Sequence, residues 1–194
     1  MPMTTTHALV PLAAALAFPK PAVRWRLVLV AMFAAALPDV DGIFKYFAHV
    51  PPSSIYSHRG AAHSLFAALA AGLIAACFHR WLKVRPATAG LAVGAAMASH
   101  GILDMMTDSG RPVAYLWPLS SVRLFADWHP IHSEAVHRAH FFTQVFVRLQ
   151  SELWQLIVPM FAIALLVHGC VVLIARMNAP TASPSRASGV ASPN

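Results

Sequence analysis

The chain has 194 residues, enough for one domain, with 58% hydrophobic and only 11% charged. A soluble domain carries about a quarter charged residues, so this balance, with its long apolar runs, points to a membrane protein. The net charge of +7 is gathered in short turns between apolar runs, the pattern of topology signals, so nucleic-acid binding is not expected.

Taken in chain order, the apolar runs predict an all-α, multi-pass transmembrane bundle of about five helices. The first covers residues 5–18 and is ended by Pro19 and Pro21. No Lys or Arg precedes it, and Lys20, Arg24 and Arg26 follow it, so it reads as a retained helix rather than a cleaved signal. The second covers 21–37, with Pro21 suited to a first helical turn. The third covers 61–82, the fourth 87–106 and the fifth 152–176. A span needs about 20 apolar residues, which the last three supply; the first two are short and would need local thinning. In the fourth, Gly90, Gly94 and Ala98 recur every four residues, a spacing that lets helix backbones approach closely in lipid. Residues 134–150 look like an interfacial helix. Residues 1–176 are expected to form one integral-membrane domain, and the Ala/Ser/Pro-rich residues 177–194 a disordered tail. Cys77 and Cys170 stand far apart in apolar runs and read as small core residues.

Basic residues set the orientation. Lys20, Arg24 and Arg26 lie between the first two helices, Arg80, Lys83 and Arg85 between the third and fourth, and Arg176 after the fifth. These turns are expected in the cytoplasm. All seven acids, Asp39, Asp41, Asp104, Asp108, Asp127, Glu134 and Glu152, then fall on the other, periplasmic face with most of the histidines.

Three groups there could do chemistry. Asp39 and Asp41 flank Val40 in a turn that Pro38 and Gly42 allow, so both carboxylates could reach one cation. The bland reading is a solvated helix end. His58 and His63 open the third helix around Arg59 and Gly60; neutral imidazole is the commonest protein metal ligand, against the alternative of an interfacial His pair with an anchoring Arg. His100 and Asp104 share one face of the fourth helix. Ionisable groups inside a membrane helix are costly and are read as functional, although a hydrogen-bonded pair without metal is the alternative. His7 and Glu152 begin the first and fifth helices on the same side. Three His and three Asp, with His7 and Glu152 as additions, suit a divalent metal, zinc first and Mn or Fe next. Six ligands could hold two ions, or one ion plus orienting partners. The run His129, His132, Glu134, His137, His140 matches no standard spacing, and His79 and His168 read as structural.

These stretches resemble the LexA-binding, inner-membrane-associated hydrolases, also called membrane-bound metal-dependent hydrolases. The resemblance is carried by His7, by Leu37-Pro38-Asp39-Val40-Asp41, by His58-Arg59-Gly60 with His63-Ser64, and by Ser99-His100-Gly101-Ile102-Leu103-Asp104 running on to Thr107, Gly110 and Trp117-Pro118-Leu119-Ser120. It reaches to about residue 121. Ala62 stands where the family pattern has Thr. The resemblance implies a helical, bacterial inner-membrane protein with a metal-dependent hydrolase site. The same His and Asp set is similar to zinc-dependent phospholipases C and related nucleases, which implies a phosphoester substrate; an outer interfacial site implies a lipid or lipid-linked one. Arg59 would then stabilise negative charge and Thr107 would hydrogen-bond behind the ligands. The alternative is a non-catalytic membrane protein whose polar or metal-bound cluster locks helix ends together. A transporter ranks last, since the cytoplasmic halves of the helices carry almost no acids.

Overall fold

In the computed structural model, residues 2–18, 24–42, 50–132 and 141–178 are described. The helices are α1 (Thr4–Leu16), α2 (Trp25–Ala36), α3 (Leu65–Cys77), α4 (His79–Leu82), α5 (Pro86–Met105), α6 (Phe141–Glu152) and α7 (Val158–Met177). Short 3-10 turns at Leu37–Val40 and Ala61–His63 follow α2 and precede α3. Among the described residues there is no β-strand; isolated bridges join Thr107 to Ile131 and Val113 to Leu124. Residues 179–194, the expected tail, lie outside the described residues, as do Lys20, Lys45, Glu134, His137 and His140.

Three helices differ from expectation at their boundaries. The second begins at Trp25, not Pro21, with Arg24 extended before it. The third helix begins at Leu65, not Ala61, because the Ser64 hydroxyl accepts the Ala67 N–H at 3.1 Å and sets a new start. It ends at Cys77, and α4 is a separate turn closed by Lys83 in the left-handed region (φ 58°). The fifth helix does not begin at Glu152. It continues from α6 through a π turn at Leu153–Ile157 into α7, which places Glu152 inside the helix. Residues 141–150 of the expected interfacial segment thus belong to this helix. From Val145 to Met177 it runs 33 residues, roughly 50 Å at 1.5 Å each. Among the described residues it alone is long and apolar enough to cross a membrane; the apolar helices α1 and α3 have 13 residues each. Its outward side chains, including Ile163, Leu165, Leu166, Leu173 and Ile174, have no protein cover.

The main core joins α2, α3 and α5 through small residues: Ala31, Ala35, Ala68, Ala75, Ala89 and Val93 are all buried. The spacing read in the fourth helix has its partner in α3. A Cβ placed on Gly72 would stand 2.7 Å from the Gly90 carbonyl oxygen and 3.3 Å from the Gly94 Cα. The backbones touch there, so Gly72→Val is expected to cost about 1–3 kcal/mol by overpacking. Thermal unfolding in detergent should fall accordingly, while Gly169→Val, where nothing lies within 4 Å, serves as the silent control. A smaller cluster of Ala13, Ala17 and Ala164 packs α1 on α7. Cys77 and Cys170 are not core residues: both are free and exposed on the outer helix faces.

The alternation of directions brings the start of α1, the end of α2, the start of α3 and the end of α5 to one end of the bundle. The segment after α5 folds back over that end. Ala126 N–H donates to Met105 O (3.0 Å), Leu65 N–H to Tyr115 O (2.9 Å) and Ala114 N–H to Arg59 O (2.9 Å).

Candidate metal centre

Helical phase on α5 turns His100 and Asp104 to the same buried side, and both are fully buried. The Leu37–Val40 turn, started by Pro38, brings Asp39 against them, and the Ala61–His63 turn brings His63. Gly101 makes this approach possible: a Cβ there would meet the His63 carbonyl oxygen at 2.7 Å and the Tyr115 ring at 2.8 Å.

Four atoms face one another. His100 Nε2 lies 3.4 Å from Asp39 Oδ1 and 3.8 Å from Asp104 Oδ2. His63 Nε2 lies 3.5 Å from Asp104 Oδ2 and 3.9 Å from Asp39 Oδ1. These separations exceed ordinary hydrogen bonds. Two ligands each about 2.0–2.1 Å from a tetrahedral ion stand about 3.3 Å apart, close to what is seen. All four atoms are buried without a hydrogen-bond partner. Leaving such atoms unsatisfied costs about 1–3 kcal/mol each, so a shared cation explains the grouping that direct bonds do not. The four residues could hold a metal ion.

The surrounding bonds aim these atoms inward. His100 Nδ1 lies 2.7 Å from the Ala35 carbonyl oxygen. A carbonyl only accepts, so Nδ1 carries the proton and Nε2 presents its lone pair to the group. Asp39 Oδ2 accepts from the Thr4 hydroxyl at 2.5 Å. Asp104 Oδ1 accepts from Arg59 Nη2 at 3.1 Å, leaving Oδ2 free to face the histidines. Asp41 stands behind His63, with Oδ2 3.1 Å from His63 Nδ1 and Oδ1 2.6 Å from His58 Nδ1. Asp41, His58 and His63 form a second group with metal-ligand spacing.

Arg59 points into the bundle. It is fully buried with backbone φ 65°, and its guanidinium is turned inward. Besides Asp104, it donates to Thr107 Oγ1 (3.1 Å), Ser109 O (3.2 Å) and Arg111 O (2.6 Å). It therefore holds Asp104 in place. Thr107 Oγ1 donates to the Asp104 carbonyl at 2.7 Å. His7 is fully buried, stacked on His100 with ring centroids 3.7 Å apart, and its Nε2 is 3.8 Å from Asp104 Oδ1. Glu152 lies apart from the group. Its carboxylate accepts from Met3 N–H at 2.8 and 2.9 Å and from the Thr6 hydroxyl, so it pins the start of α1 to the last helix. Sequence reading missed Thr4 and the Ala35 carbonyl. Thr4 carries a weak signal, a hydroxyl near His7, whereas a backbone oxygen has none.

Electrostatics agree with the geometry. Burial works to raise the Asp39 and Asp41 carboxyls, but facing histidines, with the Thr4 hydroxyl at Asp39, outweigh it and hold both below the usual range. Burial works to lower His63, but Asp39 and Asp41 outweigh it and push it up to about 9. A raised His63 stabilises the metal-free fold fully below its unfolded value of 6.5, and that contribution is lost as pH rises through about 9. The depressed carboxylates stabilise above 3.8 and lose their contribution as pH falls below it. Chelator-treated protein should therefore show a falling Tm from pH 6.5 to 10. A flat profile would remove the proton assigned to His63.

Residues 1–178 match the family described as YdjM inner membrane protein. The chain belongs to that family. It is also 35% identical over 133 residues to inner membrane protein YbcI of Escherichia coli (strain K12), covering 68% of this chain and 76% of that protein. No solved structure matches. Membership in the YdjM family makes this an inner membrane protein. That accounts for the uncovered apolar surface of α7 and makes the buried His/Asp group the exceptional feature of the chain.

Proposed function

We propose that this YdjM-family protein is a multi-pass metal-dependent hydrolase of the bacterial inner membrane, with its site on the periplasmic face. The observation that carries the reading is the set of four buried, unpartnered ligand atoms on Asp39, His63, His100 and Asp104, spaced for one ion. Two imidazoles and two carboxylates favour zinc, with Mn or Fe next. Once bound, such an ion supplies Lewis-acid activation of water and of an ester oxygen. The protein's own part is positioning. Ala35 O sets the His100 tautomer, Arg59 fixes one oxygen of Asp104, and Asp41 backs His63.

Three carboxylates facing these histidines suit hydrolysis of a phosphoester, and a site among membrane helix ends suits a lipid-linked one. The orientation follows from the basic turns at Arg80, Lys83 and Arg85, which lie at the end of the bundle away from the site. Cysteine labelling at Ser54 from the periplasm should succeed and at Thr88 should fail; the reverse would invert the orientation. Elemental analysis of purified protein should find metal. Screening the loaded protein against phospholipids and soluble phosphoesters should find turnover. Metal-free protein that is fully stable and indifferent to chelator would sink the reading.

A second reading has one observation in its favour. The four-residue group is closed, with Asp39 only 7% exposed and the other three side chains fully buried. Closed four-ligand sites are the structural kind, which favours a metal lock between helix ends. Stoichiometric metal without turnover on any of these substrates would support the lock.

A further inference from the structure

The closed group leaves a question of where a substrate would enter. Beside it, Asp41, His58 and His63 offer three ligand atoms within 4.8 Å of one another. His63 is shared between the two groups, with Nε2 toward Asp39, His100 and Asp104 and Nδ1 toward Asp41. Asp41 Oδ2 and His63 Nδ1 are buried and 3.1 Å apart, yet neither makes a well-aligned hydrogen bond. His58 is 25% exposed, the most open side chain of the cluster. Gly42 adds no bulk beside it: a Cβ there would still be 4.0 Å from His58 Nδ1. Three protein ligands with an open side is the pattern of a catalytic metal position, whereas four closed ligands is that of a structural one.

We propose that the cluster holds two divalent cations bridged by His63, and that the second position, at Asp41, His58 and His63, is the one that meets substrate. This rests on the metal reading above. The charges set its character. Asp39, Asp41 and Asp104 together balance one divalent ion plus Arg59. To bridge through both ring nitrogens, His63 gives up its remaining N–H proton to solvent as the second ion enters and ligates as an imidazolate; even with that charge counted, the second ion leaves net positive charge, so it binds more weakly and with an anion. A phosphate group supplies that anion, whether as a lipid headgroup or free. At the second position the short His58–Asp41 contact of 2.6 Å gives way, because the cation replaces the proton now shared there.

The test is a zinc titration of chelator-stripped protein in neutral-lipid nanodiscs, read by bound metal per chain. Wild type should take up one ion tightly and a second about 10–100-fold more weakly. Inorganic phosphate should tighten the second step only. His58→Ala should keep the first ion, which also reports that it is folded, and lose the second. Nanodiscs carrying a phosphatidylglycerol headgroup should tighten the second step without added phosphate if the ligand is a lipid; tightening by inorganic phosphate alone assigns it to a free phosphate, and both outcomes support the second position. Saturation at one ion, with or without phosphate, overturns the inference and leaves the single-ion reading standing. Two ions retained in His58→Ala also overturn it. Binding of no ion overturns both.

Discussion

His100→Ala is expected to abolish tight metal binding, and any hydrolytic activity with it. His100 is held in a defined orientation, because Ala35 O fixes its tautomer and α5 fixes its direction. Loss of an orienting partner alone typically costs about 10–100-fold in metal affinity, so loss of a ligand should exceed about 100-fold. Asp104→Asn keeps the side-chain shape and removes one charge, and should lower affinity in the same direction. Zinc titration against a competing chelator checks both. Wild-type affinity in both variants would remove the four-residue group from consideration. A loss confined to Asp104→Asn would instead point to a charge effect.

Arg59→Ala should give a large loss of stability. The guanidinium is buried among Asp104, Thr107 and two carbonyls, and its removal leaves a buried carboxylate without its cation. Breaking one side of such a pair costs about 3–5 kcal/mol. Arg59→Lys should rescue little, since an ammonium cannot reproduce the planar fork. Arg59→Gly should be less damaging than Arg59→Ala by about 1–2 kcal/mol, because the backbone is left-handed at φ 65°. Unfolding in mixed detergent micelles measures all three. A loss below about 1 kcal/mol for Arg59→Ala would show that the pair is not holding the outer end together.

Much of the candidate centre was legible from residue types and spacing. His100 and Asp104 lie four apart on one helix face, and Asp39 and Asp41 share a turn whose Pro38 and Gly42 announce it. Such local geometry is written in the covalent order, as was the close approach at Gly90 and Gly94. Two other features were misplaced for the opposite reason. Ser64 capping moved the start of α3, and no apolar period marks that event. The join of α6 to α7 runs through a π turn that hydrophobic patterning does not register, so Glu152 was placed at a helix start.

By itself, then, the sequence determined that this is an apolar, helical membrane chain whose acids and histidines gather at one end, because period and charge are local properties. Only the tertiary structure decided which of those groups meet. Arg59 turned inward to Asp104. Glu152 went to the start of α1, and His63 came to stand between Asp41 on one side and Asp39 with Asp104 on the other. Each of those outcomes depends on where the start of α1, the end of α2, the start of α3 and the end of α5 are brought together. That is set by glycine and alanine contacts between backbones far apart in the chain, not by any residue's neighbours.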